Sequence, residues 1–140
     1  MEVRHRDTEN TERIIADIKE LNKITEKVIG CAIEVHRNLG PGLLESIYES
    51  ALCVEFNNND IEYQRQIIIP VRYKGIIIGE HKLDLLVENE IIVELKAIDN
   101  LAPIFEAQLL SYLKMSKKKL GLLINFNSIQ LREGIKRVIL

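Results

Sequence analysis

The chain has 140 residues, a length typical of one domain that buries its own hydrophobic core. Apolar residues make up 46% of the sequence and charged residues 29%, a balance that excludes an intrinsically disordered chain. The formal net charge of −2 excludes a general attraction to nucleic acid, so any such contact must come from a local basic patch.

Neither a membrane segment nor a signal peptide is predicted. No stretch reaches the roughly 18 consecutive apolar residues of a membrane helix. The first residues also lack the apolar centre of a signal peptide. We therefore expect a cytoplasmic protein with no membrane partner. The two cysteines, Cys31 and Cys53, lie in apolar helical patterns, which predicts a buried, reduced pair and cannot supply the four thiolates of an iron–sulfur cluster.

Helical patterns fill the first part of the chain. Residues 11–21 carry an apolar stripe at helical spacing, and Thr11 is a candidate N-cap. A second helical pattern runs from Lys23 to Leu39, either continuous with the first or separated from it. Gly40-Pro41-Gly42 should end that helix, and a further helix is expected from Leu43 to Asn57.

Strand patterns follow the helices, and the first two are joined by a tight turn. Residues 61–73 alternate as a strand, and Pro70 favours an edge position because it cannot donate to a ladder. Lys74-Gly75 predicts a hairpin turn, after which the next strand runs from Ile76 towards Asp84, with Gly79 as a candidate bulge.

The segment from His81 to Lys96 carries the most informative acids. It predicts two strands joined by a tight turn, with Asp84 on the first strand and Glu94-Leu95-Lys96 at the end of the second. The side-chain period of two places Glu94 and Lys96 on one face. Charges at the end of an apolar strand are costly without a partner or ligand. Asp84 and Glu94 can hold a hard divalent cation through oxygen, and Lys96 beside it can orient or help deprotonate a water.

A shared site requires a particular hairpin register. Opposed residues on antiparallel strands point to the same face, so Asp84 and Glu94 must pair with a residue-number sum of 178. That sum also pairs Leu85 with Val93 and leaves a three-residue loop, 88–90. We expect Asn89 or Glu90 to adopt the left-handed conformation that such loops need.

The last third of the chain predicts a helix, a strand and a tail. The helix spans Asp99 to Lys114, with Pro103 in its first turn. A buried strand, residues 120–126, should lie parallel to the Glu94 strand after a right-handed crossover. Residues 131–140 form a final strand or a short helix. Two groups on this part of the chain are candidates for binding substrate: the pair Gln108 and Tyr112, and the basic run Lys117, Lys118 and Lys119.

These groups also have simpler explanations. Gln108 and Tyr112 lie one turn apart and would equally suit the polar edge of a packed helix. Lysines at a helix end suit its dipole and are usually just solvated, although they can contact a phosphate backbone. His36 is similarly placed in the last turn of its helix, where a favourable interaction with the helix terminus outweighs a role at a site.

The spacing of Asp84, Glu94 and Lys96 resembles that of the PD-(D/E)XK nuclease superfamily. Gly42-Leu43-Leu44-Glu45-Ser46-Ile47-Tyr48 matches the G-x-x-E-x-x-Y motif of the GxxExxY family, a compact branch of that superfamily. Val93-Glu94-Leu95-Lys96-Ala97 and Glu106-Ala107-Gln108-Leu109-Leu110 are also similar to it. The resemblance covers residues 22–140, so we expect a single domain over residues 1–140 with a helical N-terminal extension at residues 1–21.

The resemblance implies an α/β fold with a mixed central sheet of four to five strands, an antiparallel meander plus a parallel strand, flanked by helices. It also implies that Glu45 faces the metal-binding strands, although the helix dipole alone would favour a glutamate there. The Leu95 carbonyl would join Asp84, Glu94 and Glu45 in holding Mg²⁺ or Mn²⁺. Gln108 and Tyr112 resemble the Q-x-x-x-Y motif of RecB-like nucleases, which touches substrate beside the metal.

The expected function is metal-dependent phosphodiester hydrolysis, with DNA favoured over RNA and with a homodimer considered because duplex cleavage needs two cuts. The expected catalytic residues are Asp84, Glu94, Lys96 and Glu45. Two alternatives stay open. One is a non-catalytic module that binds nucleic acid or protein on the same fold. In the other, Glu94 and Lys96 form only an ion pair, although surface pairs contribute about 0–1 kcal/mol and would not hold this spacing.

Overall fold

The computed structural model describes the backbone of residues 2–140 and the side chains of residues 8–140. In that part of the chain, a five-stranded sheet is combined with three α-helices and one short 3₁₀ helix, Leu131–Gly134. The elements in chain order are α1 (Glu2–Leu39), α2 (Glu45–Asn58), β1 (Tyr63–Tyr73), β2 (Ile76–Val87), β3 (Ile91–Lys96), α3 (Pro103–Ser116), β4 (Leu120–Asn125) and β5 (Ile135–Ile139).

The sheet has the order β1-β2-β3-β4-β5 and is mixed. Strands β1, β2 and β3 form an antiparallel meander, β3 and β4 are parallel, and β5 pairs antiparallel with β4. The α3 helix makes the crossover between the parallel strands. The α/β fold expected from the sequence, with an antiparallel meander plus a parallel strand, is confirmed. The tail forms both the short 3₁₀ helix and the final strand.

The sheet separates two hydrophobic cores. The larger core packs α1 and α2 against one face, where Leu85, Val93 and Leu122 are fully buried. The smaller core packs α3 against the other face, through Leu109 and Leu113. Strand β3 lies at the centre, so Ile91, Ile92 and Val93 are all fully buried. Continuous apolar sequence is expected of a strand that is covered on both faces.

Helix α1 is continuous from Glu2 to Leu39, and the break considered before Lys23 does not occur. Thr11 therefore lies inside the helix and is not its cap. Thr25 is also internal, and its hydroxyl donates to the carbonyl of Asn22. Residues 8–20 are exposed, whereas Leu21 begins the buried side of the helix. No helix of the described residues is long and apolar enough to cross a membrane.

Several predicted boundaries were wrong by a few residues, and α2, for example, begins at Glu45 rather than Leu43. Strand β1 begins at Tyr63 rather than Ile61, since Ile61 N–H still bonds the Phe56 carbonyl at the end of α2. Helix α3 begins at Pro103 rather than Asp99, with the proline in its first turn. Pro70 does lie on an edge strand, and Cys31 and Cys53 are both buried and free, as expected.

The register between β2 and β3 is the one that the site requires. Leu85 pairs with Val93, Leu86 with Ile92 and Val87 with Ile91. Glu90 N–H closes a tight turn on the Val87 carbonyl at 3.0 Å. The left-handed residues are Glu88 and Asn89, so the expectation for Asn89 is confirmed and the alternative at Glu90 is wrong. Glu90 is the third residue of the loop, and this odd loop length gives the register that pairs Leu85 with Val93.

The β1–β2 ladder contains two irregularities. Val71 pairs with Gly79 and Arg72 pairs with Ile77, so Ile78 has no partner on β1. This bulge lies next to Gly79, the position at which the sequence predicted one. Gln66 is also unpaired and left-handed, with φ of 50°. Next to Gln66, the side chains of β2 change the face of the sheet to which they point. Leu85 belongs to the larger core, whereas Leu83, two residues away, belongs to the smaller one on the other face.

A buried tyrosine fixes the loop between α1 and α2. The Tyr48 hydroxyl donates to the Gly40 carbonyl at 2.5 Å and accepts the Leu43 N–H at 3.1 Å. Its ring stacks on Phe126, with centroids 4.6 Å apart. This hydroxyl thus bonds main-chain groups rather than a neighbouring acid. It instead holds the loop that leads directly into Glu45.

Replacing Tyr48 with phenylalanine should destabilise the protein by about 1–3 kcal/mol, because two main-chain groups of the loop lose their partner while the ring stays buried. Urea unfolding followed by circular dichroism measures this change. Tyr63→Phe is the matched control, because its hydroxyl bonds Asn57 Oδ1 at the surface. We expect the control to cost less than about 0.5 kcal/mol. Equal losses in the two variants would contradict the role assigned to Tyr48.

Candidate functional site

Asp84 and Glu94 each bond the main chain of the other strand. The Asp84 N–H donates to Glu94 Oε1 at 3.0 Å, and the Leu95 N–H donates to Asp84 Oδ2 at 2.8 Å. These two crossed bonds stand where the next rungs of the β2–β3 ladder would lie, since the ladder itself ends at Leu85 and Val93. The two carboxylates are thereby held side by side between the strands.

The same bonds orient the main chain of Leu95. The N–H and C=O of a strand residue point towards the same neighbouring strand. Because the Leu95 N–H points to Asp84, its carbonyl lies on the Asp84 side as well. Successive residues of a strand point their main-chain groups to opposite neighbours. In agreement with this, the carbonyl of the next residue, Lys96, points to the β4 side, where it accepts from Phe126 N–H at 2.9 Å. Leu95 thus presents a carbonyl oxygen beside the two acids.

The acid pair is strongly perturbed electrostatically. Burial raises the pKa of Glu94 to about 8, and the charge of Asp84 adds to that rise. Burial also raises the pKa of Asp84, while the hydrogen bond from Leu95 N–H opposes the rise. Two adjacent buried carboxylates do not both ionise easily, which favours retention of a proton by the pair. A bound cation would relieve the same repulsion.

Glu45 lies in the first turn of α2, near the acid pair but separate from it. Its pKa is raised first by partial burial and then by the charge of Asp84, whereas the charge of Lys96 lowers it. Glu45 itself is still exposed to water. Among the described side chains, no group of three or more His, Cys, Asp or Glu residues is arranged to hold a metal ion. The structure therefore supplies a two-carboxylate site with a third acid nearby.

Lys96 extends from the end of β3 over an aromatic ring. Its ammonium lies 4.7 Å from the ring centroid of Phe105, a cation–π contact with α3. Its charge acts on Asp84, Glu94 and Glu45. In the described part of the chain no ion pair within 4.0 Å joins Lys96 to either Asp84 or Glu94. The simple ion-pair alternative for Glu94 and Lys96 thus has no contact to support it.

The two polar residues of α3 are placed differently. Burial raises the pKa of Tyr112, and the charges of Glu94 and Asp84 raise it further, so the tyrosine lies in the neighbourhood of the acid pair. Its ring also contacts that of His81, with centroids 5.1 Å apart. Gln108 is exposed one turn earlier on the same helix. Tyr112 therefore borders the candidate site, whereas a role there for Gln108 stays a prediction.

The lysine run does not lie near the acid pair. Lys117 ends α3 in a left-handed conformation, and Lys119 directly precedes β4. The start of β4 pairs with Ile91, the first residue of β3. Glu94 is three residues further along that strand, roughly 10 Å away. Lys117, Lys118 and Lys119 line a small cavity together with acids that include Asp17 and Glu20. Contact of these lysines with phosphate stays a prediction.

Sequence reasoning missed a buried network beside Asp84. Glu49 Oε2 accepts two bonds from Arg65, at 2.9 and 3.1 Å, and Glu49 Oε1 accepts one from the Gln66 amide at 2.8 Å. Glu49 is 7% exposed, and its charge contributes to the raised pKa of Asp84. Its position one helical turn after Glu45 was the available signal, because residues i and i+4 share a helix face.

Two further residues hold the loops around the site. The buried Asn125 side chain bonds both main-chain groups of Ile98, at 2.8 and 3.1 Å, and so fixes the segment that follows Lys96. His36 Nε2 lies 2.8 Å from the Ser128 carbonyl, which is a structural contact rather than one with a site. Neither partner could be identified from sequence because each lies far along the chain.

One of three comparisons with known proteins returned a match. Neither the curated proteins nor the solved structures returned a match. A family model described as the PD-(D/E)XK nuclease superfamily matches residues 22–138, most of the chain, including the acid pair and Lys96. The mixed sheet flanked by helices is consistent with that assignment. The chain therefore belongs to the PD-(D/E)XK nuclease superfamily.

Proposed function

We propose that this protein is a metal-dependent nuclease that hydrolyses phosphodiester bonds in DNA. The observation that carries the proposal is the crossed pair of buried carboxylates, Asp84 and Glu94, with Lys96 following at the end of the same strand. Their mutual repulsion and burial create a demand for positive charge that the described protein contacts do not meet. Membership of a nuclease superfamily supports phosphodiester hydrolysis as the reaction.

The donor set fits a hard divalent cation, Mg²⁺ or Mn²⁺. Asp84, Glu94 and the Leu95 carbonyl would hold it directly, since all three oxygens lie between β2 and β3. Glu45 would act through a water, because it is exposed and stands apart from the pair. A cation bound there would polarise the scissile phosphate and lower the pKa of an attacking water.

The remaining residues bind and orient. Lys96 positions the attacking water and offsets developing negative charge, while Phe105 restricts the path of its side chain. Tyr112 borders the acids and can donate its hydroxyl to a phosphate oxygen. Gln108, exposed one turn away, would contact the substrate further from the cut.

The G-x-x-E-x-x-Y pattern supports placing the chain in the GxxExxY branch. Gly42 has φ of 100°, which favours glycine, and Tyr48 fixes the loop that starts at Gly40. Glu45 stands between them at the start of α2. The motif thus works as one structural unit that presents an acid towards Asp84. A homodimer would allow both strands of a duplex to be cut.

Asp84→Asn and Glu94→Gln should each reduce Mg²⁺-dependent cleavage of DNA by at least about 10²-fold, because each removes a charged metal ligand. Both substitutions keep an acceptor for the crossed hydrogen bonds, so the fold should be retained. Cleavage of supercoiled, linear and single-stranded DNA, with and without chelator, measures the effect.

The control for this experiment is Glu90→Gln, an exposed acid in the β2–β3 turn. It should cleave like the wild type. The increase in melting temperature on adding Mn²⁺ should also vanish in both site variants and persist in the control. Full activity in Asp84→Asn would exclude the proposed site. Metal binding without any cleavage by the wild type would instead favour the non-catalytic binding module.

The metal-free protein should lose stability as the pH rises from about 4.5 to about 8. The folded state binds more protons than the unfolded state in this interval, because the pKa of Glu94 is raised to about 8. The loss should be on the order of a few kcal/mol, since one pKa unit corresponds to about 1.4 kcal/mol. Urea unfolding in chelator at several pH values tests this.

Glu94→Gln supplies the comparison for the pH series. The amide keeps the bond from Asp84 N–H but cannot ionise, so the decline between pH 4.5 and 8 should flatten and leave only the part due to Asp84. A wild-type stability that is constant over this range would show that Glu94 titrates normally.

Lys96→Arg separates two roles of the lysine. Arginine keeps the charge but changes the donor geometry and does not release its proton. If Lys96 seats the water, the arginine variant should lose almost as much single-turnover rate as Lys96→Ala. Recovery of most of the wild-type rate by arginine would mean that only its charge matters.

A further inference from the structure

The outer parts of β1 and β2 form a two-stranded arm, residues 67–83. Strand β3 pairs with β2 only from Leu85 to Val87, so in the described structure residues 76–83 pair with β1 alone. The base of the arm packs on α3 through Ile69 and Leu83. Every residue from Arg72 to Lys82 is exposed. The arm therefore projects from the point where Asp84 enters the candidate site.

The arm is cationic although the chain is not. It carries Arg72, Lys74 and Lys82 against a single carboxylate, Glu80, while the whole chain has a net charge of −2. A local excess of cations next to a candidate phosphodiester site is the electrostatic arrangement that a nucleic acid requires.

The tip also exposes large apolar side chains. Tyr73 is 60% exposed and Ile76 67% exposed, and Ile77 and Ile78 follow at 55% and 64%. Apolar side chains on a projecting ribbon gain nothing from the protein's own core. Apolar contact with the thymine methyl group is part of recognition in the major groove, and tyrosine can stack on an unstacked base.

The turn at the tip carries a residue that its conformation does not favour. Lys74 and Gly75 are both left-handed, with φ of 49° and 80°, and form a two-residue hairpin turn. Asparagine, aspartate or glycine would adopt the first position more easily. The lysine instead places its ammonium 5.4 Å from the centroid of the Tyr73 ring. The turn therefore presents an exposed cation and an aromatic ring together at the tip of the arm.

We propose that this arm grips duplex DNA on one side of the cleavage site. This rests on the proposed nuclease function and names the surface that holds its substrate. A two-stranded ribbon fits the major groove, which is about 12 Å wide. Arg72, Lys74 and Lys82 contact phosphates, and Tyr73 and Ile76 contact bases at the tip. Ile76 lies eight residues from Asp84, at most about 27 Å at 3.4 Å per residue, so the tip contacts DNA within about eight base pairs of the cut.

The test removes charge from the tip without disturbing the turn. In the double variant Arg72→Gln, Lys74→Asn, asparagine retains the left-handed preference. The matched control is Arg13→Gln, Lys19→Gln on the exposed part of α1, which loses the same charge far from the arm. Binding of a 30-base-pair duplex is measured by fluorescence anisotropy in chelator, so that no cleavage is needed.

The arm variant should weaken binding at least tenfold relative to the control and reduce the slope of log K against log salt by about two. Tyr73→Ala should weaken DNA binding further. The melting temperatures of the arm variant and of the Tyr73→Ala variant should equal that of the wild type. Binding equal to that of the control, or no DNA binding by the wild type, overturns the proposal.

Size-exclusion chromatography of the same variants tests the competing occupant, a second copy of this chain. An arm variant that becomes monomeric where the wild type is dimeric, with DNA affinity no weaker than that of the control, would assign the arm to a dimer interface and overturn the proposal. Cleavage assays are kept separate. Arm-dependent DNA binding without any cleavage by the wild type refutes the nuclease function alone, and cleavage by the wild type with arm-independent binding refutes the arm alone.

Discussion

The crossed hydrogen bonds between Asp84 and the Glu94-Leu95 segment are the constraint on which the rest of the site depends. They replace ladder rungs with side-chain contacts, so the strands remain joined while the two carboxylates stay between them. Burying two acids is unfavourable without compensation. It is tolerated here because the adjacent part of β3, from Ile91 to Val93, is fully buried on both faces and anchors the strand.

The same interruption shapes β1 and β2. Asp84 has no ladder partner on β1 or on β3. On the β1 side the opposite residue, Gln66, is left-handed and unpaired. The amide of Gln66 then reaches Glu49 on α2, which Arg65 also bonds. This local change sends Leu83 to the opposite face from Leu85. The arm can therefore leave the sheet and pack its base against α3 instead of continuing between the helices.

Part of the fold and of the candidate site could be predicted from local sequence patterns. The register of Leu85 with Val93 was predictable by parity, since only an odd loop puts Asp84 and Glu94 on one face. The face change at Gln66 was not, because glutamine carries no preference for the left-handed region. Contacts such as Glu49 with Arg65 or His36 with Ser128 join distant positions, and one sequence gives no pairing information for them. The lysine run looked basic in sequence, but its acidic neighbours on α1 appear only after folding.

The spacing of the G-x-x-E-x-x-Y motif has a physical explanation in this fold. Glu45 and Tyr48 are three residues apart, so they lie on the same face of α2. The buried Tyr48 ring stacks on Phe126 and its hydroxyl ties Gly40 and Leu43 together. The first turn of α2 is thereby fixed relative to the sheet, and Glu45 is held where Asp84 acts on its charge. A tyrosine one position away would turn from the core, and the acid would lose its fixed approach to the strands.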